Sequence, residues 1–249
     1  MSTSVKETDL PGHGGRMARS WAWLVLAFGF PTLLNLIAAR VFILWIASMD
    51  RMPIEAAYFL SVGSLVLAPM LALAWFLTRK ELESNSWRSM MVRWRINPLS
   101  GRDWLWIVAG FVVMCLASWI IAAFMLPAIG MTANPFFFQN MPLVDSYPWL
   151  IACWPAFFFF NIFGEELYWR GYIFPRQQEF QGNWTFLVHG TFWAIWHLPM
   201  GLDLVIAALP GFYILSAIVQ ICKNTSVAIV IHTIFGAFGF LTLAFGLIR

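Results

Sequence analysis

Residues 149–170, WLIACWPAFFFFNIFGEELYWR, decide how this chain is read. The stretch begins as an apolar run of membrane-spanning length and then presents Glu165, Glu166 and Arg170 within a single six-residue window. An ionisable side chain inside a bilayer costs about 2.5–3.5 kcal/mol on insertion scales, so by default it marks a functional site. The run thus points to a membrane span and to a reason for placing charge in it.

The rest of the chain agrees with a membrane setting. Of its 249 residues 61% are hydrophobic and 11% are charged, where a soluble domain carries roughly 25% charge. Apolar runs of spanning length lie near 21–47, 54–77, 104–126 and 149–169, with shorter or interrupted ones near 184–198, 203–222 and 225–247. A span takes about 20 apolar residues. The fold class expected is all-α, a polytopic transmembrane helix bundle of about seven spans. Residues 1–20 read as a polar, disordered tail and 21–249 as one membrane domain. The first apolar run is too long for a signal-peptide core and reads as an uncleaved anchor. A scattered net charge of +3 excludes a nucleic-acid partner. Cys115, Cys153 and Cys222 all lie in apolar segments and read as buried small hydrophobes, not as a disulfide framework or a zinc motif.

Charge also orients the chain. The 78–103 loop holds Arg79, Lys80, Arg88, Arg93, Arg95 and Arg102, whereas 127–148 has no Lys or Arg. The positive-inside rule puts the former in the cytoplasm. Alternation puts the N-terminus there too, with the 170–183 connection and Lys223. The basic loop mixes Trp87, Trp94 and Ile96 with its arginines, which suits either an amphipathic surface helix or a solvated loop. Arg40, inside the first span, is expected to snorkel or to pair with a polar neighbour.

If 165–170 is helical, Glu166 and Arg170 stand at i and i+4 in the order that favours an ion pair. Glu165 lies about 100° round the helix, outside that pair and free to take a proton as a general base does. Among the histidines, His13 falls in the polar tail and His189 reads as structural. His197 ends an apolar run just before Pro199 and Gly201, and His232 sits inside the last span. In an antiparallel hairpin turning near 181–183, Glu165 is about 24 Å and His197 about 20 Å along their helices from the tip. His232 joins them at that depth if the tip projects roughly 8–12 Å from the membrane. A helix break at Pro199 would then lie within the slab, where irregular backbone must be buried in protein or line a wet cavity. A cavity open to the cytoplasm is expected. Glu165 with His197 could deprotonate water, and His232 could donate to an oxyanion. Alternatively, Glu165, His197 and His232 could ligate a divalent metal such as zinc.

These residues resemble a known family. Glu165-Glu166-Leu167-Tyr168-Trp169-Arg170 is similar to the EExxxR motif of CPBP intramembrane proteases, the CaaX-protease and bacteriocin-processing type. Trp193-Ala194-Ile195-Trp196-His197 resembles their second motif, with Trp where Phe is usual. His232-Thr233-Ile234-Phe235-Gly236 resembles the third, with Gly where Asn is common. The resemblance covers about 148–240. It implies a base at Glu165 working with His197, a supporting Glu166–Arg170 pair and an oxyanion partner at His232. Gly236 has no amide to add to that oxyanion site. The activity implied is an intramembrane endopeptidase acting on a membrane-associated protein or peptide, metal-dependent or glutamate-dependent, in a multi-pass protein of a bacterial plasma membrane. Two other readings use the same residues: a non-catalytic scaffold or bacteriocin-immunity factor, and a proton-coupled transporter.

Overall fold

The computed structural model describes residues 20–83, 86–132 and 135–247, so the tail expected over 1–20 lies, apart from Ser20, outside the described residues. Ser20 starts the first span by accepting the Trp23 N–H at 3.2 Å, which satisfies one of the donors left open at a helix N-terminus. Helix α1 is Trp21–Ala47, α2 is Ile54–Glu81, and a short α3, Trp87–Arg93, leads to α4, Gly101–Ala128. Helix α5 is three joined pieces, Trp149–Glu166, Leu167–Ile173 and Phe174–Gln181. Helices α6 (Thr185–His197), α7 (Leu202–Cys222) and α8 (Thr225–Ala244) complete the bundle. Six helical units are long and apolar enough to cross a membrane, with α5 and α6 counted together as Trp149–Met200. The described residues contain no strand. The protein is an integral, multi-pass, all-α membrane protein.

The run near 184–198, short or interrupted in the sequence, forms a short helix. Helix α6 has 13 residues, about 20 Å, and cannot alone cross a hydrocarbon core of about 30 Å. It folds back on α5 through a tight turn, Gly182–Trp184, in which Gly182 takes φ +55°. At its other end Leu198–Met200 forms a single turn and Gly201 takes φ +130°, a region open to glycine because it has no Cβ. His197 is thus the last residue of a helix that stops partway.

Helix α5 packs against α2 and α8; α7 packs against α4, α6 and α8; α1 leans on α6. Local wide turns with π geometry interrupt four long helices, at Ala38–Phe42, Gly63–Leu67, Ile121–Met125 and Leu167–Ile173. The last begins immediately after Glu166 and is wholly buried. Such turns recur at functional sites.

Gly164 sets the spacing between α2 and α5. A Cβ there would stand 2.6 Å from the Leu67 carbonyl oxygen, a backbone atom that cannot swing away. Gly164→Ala should therefore separate the two helices beside Glu165 and destabilise the bundle by about 1–3 kcal/mol, the usual cost of overpacking. Thermal unfolding in detergent measures this; an unchanged midpoint would contradict the close approach.

Aromatic rings pack together near the end of the bundle that holds Ile54. Buried Glu55 accepts the backbone N–H groups of Gln139 and Asn140 at 2.8 and 2.7 Å. This draws Phe137 onto Tyr58, stacked at 4.0 Å, with Phe157 5.1 Å from Tyr58 on its other contacts. Arg40 is exposed, and its guanidinium lies 4.9 Å from the Phe136 ring centre.

At the opposite end the basic loop is more ordered than a solvated one. Trp94 is buried, and its indole N–H donates to Thr78 at 2.7 Å. Glu81 accepts Arg93 and Arg176 on one oxygen and the Tyr172 hydroxyl at 3.1 Å on the other. The cysteine expectation is also corrected. Cys153 is exposed on the bundle surface, and Cys115 and Cys222 are partly buried.

Candidate active site

The two adjacent carboxylates have separate partners. Glu166 Oε1 accepts a hydrogen bond from Arg170 Nη1 at 3.1 Å, and both side chains are fully buried. The i,i+4 pair forms even though Arg170 sits in the wide-turn segment that a plain helix did not anticipate. Glu165 is buried as well. Its Oε1 accepts the Asn161 side-chain amide at 2.8 Å and its Oε2 accepts the Trp193 indole N–H at 2.9 Å. Neither bond comes from a cation. The Arg170 guanidinium instead lies over the Trp193 ring, 3.6 Å from its centre.

The histidines are distributed differently from the expected arrangement. His232 Nδ1 lies 2.7 Å from Glu166 Oε1, so its direct carboxylate partner is Glu166, not Glu165. The reason is geometric: His232 projects from α8 onto the same α5 face that carries the Glu166–Arg170 pair. With Nδ1–H donating there, Nε2 donates a second bond only when the ring is protonated. His197 Nδ1 lies 2.9 Å from the Trp193 carbonyl oxygen one turn earlier. That contact requires Nδ1–H and leaves Nε2 as the acceptor nitrogen. The His197 ring packs on Phe212, with centres 4.6 Å apart, and edge-on to Trp196 at 4.5 Å. His197 and Glu165 are linked through Trp193 and not by a hydrogen bond of their own. His189 is fully buried with Nδ1 on the Gln177 side-chain oxygen, as a structural histidine is.

Helices α5, α6 and α8 meet at Glu165, Trp193 and His232. The Trp193 ring centre lies 5.6 Å from that of His197 and 6.1 Å from that of His232. A metal fits these residues poorly. Among the described residues no three His, Cys, Asp or Glu side chains are grouped so as to hold one ion. Gly236 has a steric reason to lack a side chain: a Cβ there would approach the Phe158 ring to 3.1 Å.

Two site residues escaped the sequence reading. Asn161 is the only amide in the Phe-rich part of α5, at i−4 from Glu165, and that spacing was the available signal. Trp193 reads in the sequence as an aromatic one turn before His197, a pattern that does not reveal its indole N–H as a donor to Glu165.

Residues 147–238 match the family model described as Rce1-like, type II CAAX prenyl endopeptidase Rce1-like. No curated protein and no solved structure matches the chain.

Proposed function

We propose, from the premise that residues 147–238 belong to the Rce1-like family whose model they match, that this protein is an intramembrane endopeptidase. Its substrate would be a membrane-associated protein or peptide. The observation that carries the proposal is Glu165, a buried carboxylate held by two neutral N–H donors while its neighbour Glu166 takes the arginine.

In this reading Glu165 is the general base. It takes a proton from a water that His197 Nε2 helps to orient. The water oxygen bonds to the scissile carbonyl carbon, and the carbonyl electron pair moves onto oxygen. His232, when protonated, donates from Nε2 to that oxyanion, as a preorganised donor does. Collapse breaks the C–N bond, and the proton held by Glu165 passes to the departing amine. Glu166 and Arg170 fix His232 and the floor of the site. The basic loop, with Arg79, Lys80 and Arg95, faces the cytoplasm of a bacterial plasma membrane, and substrate enters from that side.

No step is routed through a metal, because the donor set does not converge on one point. Accordingly, a strong chelator should leave turnover of a peptide library by the purified protein unchanged within about twofold, and added zinc should not raise it. Chelator-sensitive activity restored by zinc would overturn the metal-free route. Cleavage of the same library by wild type and by Glu165→Gln tests the proposal as a whole. A scaffold or immunity factor would show no cleavage in either form, and a transporter would instead show substrate-dependent proton flux in liposomes.

A further inference from the structure

The Glu165 carboxylate is gripped from two helices. Asn161, one turn earlier in α5, bonds one oxygen, and Trp193 of α6 bonds the other. Rotating the carboxylate plane breaks both bonds at once, so the pair defines its orientation. Trp193 makes two further contacts from other parts of the residue. Its ring face lies under Arg170 at 3.6 Å, and its backbone carbonyl receives His197 Nδ1 at 2.9 Å. One residue therefore touches the base, the buried cation and the histidine through three different chemical groups.

We infer that Trp193, through its indole N–H and together with the Asn161 amide, is the positioning residue that holds Glu165 in its reactive orientation. The inference rests on the endopeptidase reading above. A single misplacement of about 1 Å can cost about 10²-fold in rate, which is the effect such a clamp prevents. It acts on the chemical step and leaves peptide binding to other surfaces.

The three contacts of Trp193 can be separated by substitution. Trp193→Phe keeps an aromatic face for Arg170 and keeps the backbone carbonyl for His197, and removes the N–H together with part of the ring volume. Asn161→Leu removes the other donor from a different helix with little change in volume. Each variant, purified in detergent, is assayed for kcat and KM on a cleaved library peptide, in both the wild-type and Glu165→Gln backgrounds. The expected result is a fall in kcat of about 10- to 100-fold for each, with KM within about twofold, and no further fall in the Glu165→Gln background. Either variant retaining kcat within twofold overturns the clamp, as does a change confined to KM. A loss in only one variant overturns it too, since both donors are needed to define the plane. If neither wild type nor any variant cleaves the library, the endopeptidase reading fails first; if Glu165→Gln is fully active, Glu165 is not the base and the clamp fails with that assignment. If Glu165→Gln is inactive while Trp193→Phe and Asn161→Leu are normal, only the clamp fails.

Discussion

Glu165→Gln is expected to lower turnover by about 10²–10⁴-fold, the usual contribution of a positioned general base. Gln matches Glu in shape, so the variant tests charge and basicity without opening a cavity. The amide cannot accept the proton of the attacking water. It also meets its surroundings badly: Asn161 and Trp193 both present N–H groups to this side chain, and an amide has only one acceptor oxygen to offer. One donor must then turn away or lose its bond, at a cost of about 1–3 kcal/mol for a buried polar group left unsatisfied. Two measurements separate these effects. Product formation followed by mass spectrometry reports the lost base, and the unfolding midpoint reports the lost bond. A variant that unfolds at a somewhat lower temperature but is inactive well below it fits both. Wild-type turnover would falsify the assignment of Glu165 as base.

Arg170→Met should have the largest effect on stability. The Glu166–Arg170 pair is fully buried on both sides, and removing one member of such a pair typically costs about 3–5 kcal/mol, because the remaining charge is stranded. Glu166 would keep His232 at 2.7 Å, which places the expected loss toward the lower end of that range. Lys is a poor substitute, since Arg170 also uses a flat guanidinium face on Trp193, and a compact ammonium does not stack in that way. The paired variant Arg170→Met with Glu166→Gln removes both charges and should recover part of the loss. Thermal unfolding of the two single variants and the double variant yields the coupling energy. Strictly additive losses would show that the two side chains act independently.

The membrane spans were legible because lipid leaves few options: backbone polar groups must be satisfied within helices, and their side chains must be apolar. The Glu166–Arg170 pair was legible because four residues of helix fix its geometry locally. The turn of the hairpin near 181–183 was legible from the polar run at 176–179 that precedes it. Other features were hidden for physical reasons. Whether His232 meets Glu165 or Glu166 depends on the rotation of α8 against α5, and no pattern within either helix encodes that angle. The wide turn at Leu167–Ile173 shifts the phase of everything after Glu166, and its residues look like ordinary helix formers. The Trp193 N–H was hidden because tryptophan in an apolar run is normally read as bulk. Glu81, Arg93 and Arg176 lie far apart in sequence and meet only when three chain segments converge.

The abrupt end of α6 has a consequence for the lipid around this protein. A helix of 13 residues that stops at His197 cannot tilt or stretch to match hydrocarbon of different thickness, as a full-length span does. The depth of His197 below the Gly182 turn is set by covalent geometry. In bilayers of longer acyl chains the full-length helices are expected to adjust by tilt while the distance from the Gly182 turn to His197 stays constant. Under the proposed activity, acyl-chain length would therefore act as a ruler: it would change how far the site lies from the far leaflet, and so where a membrane-inserted peptide is cut, without altering the site itself.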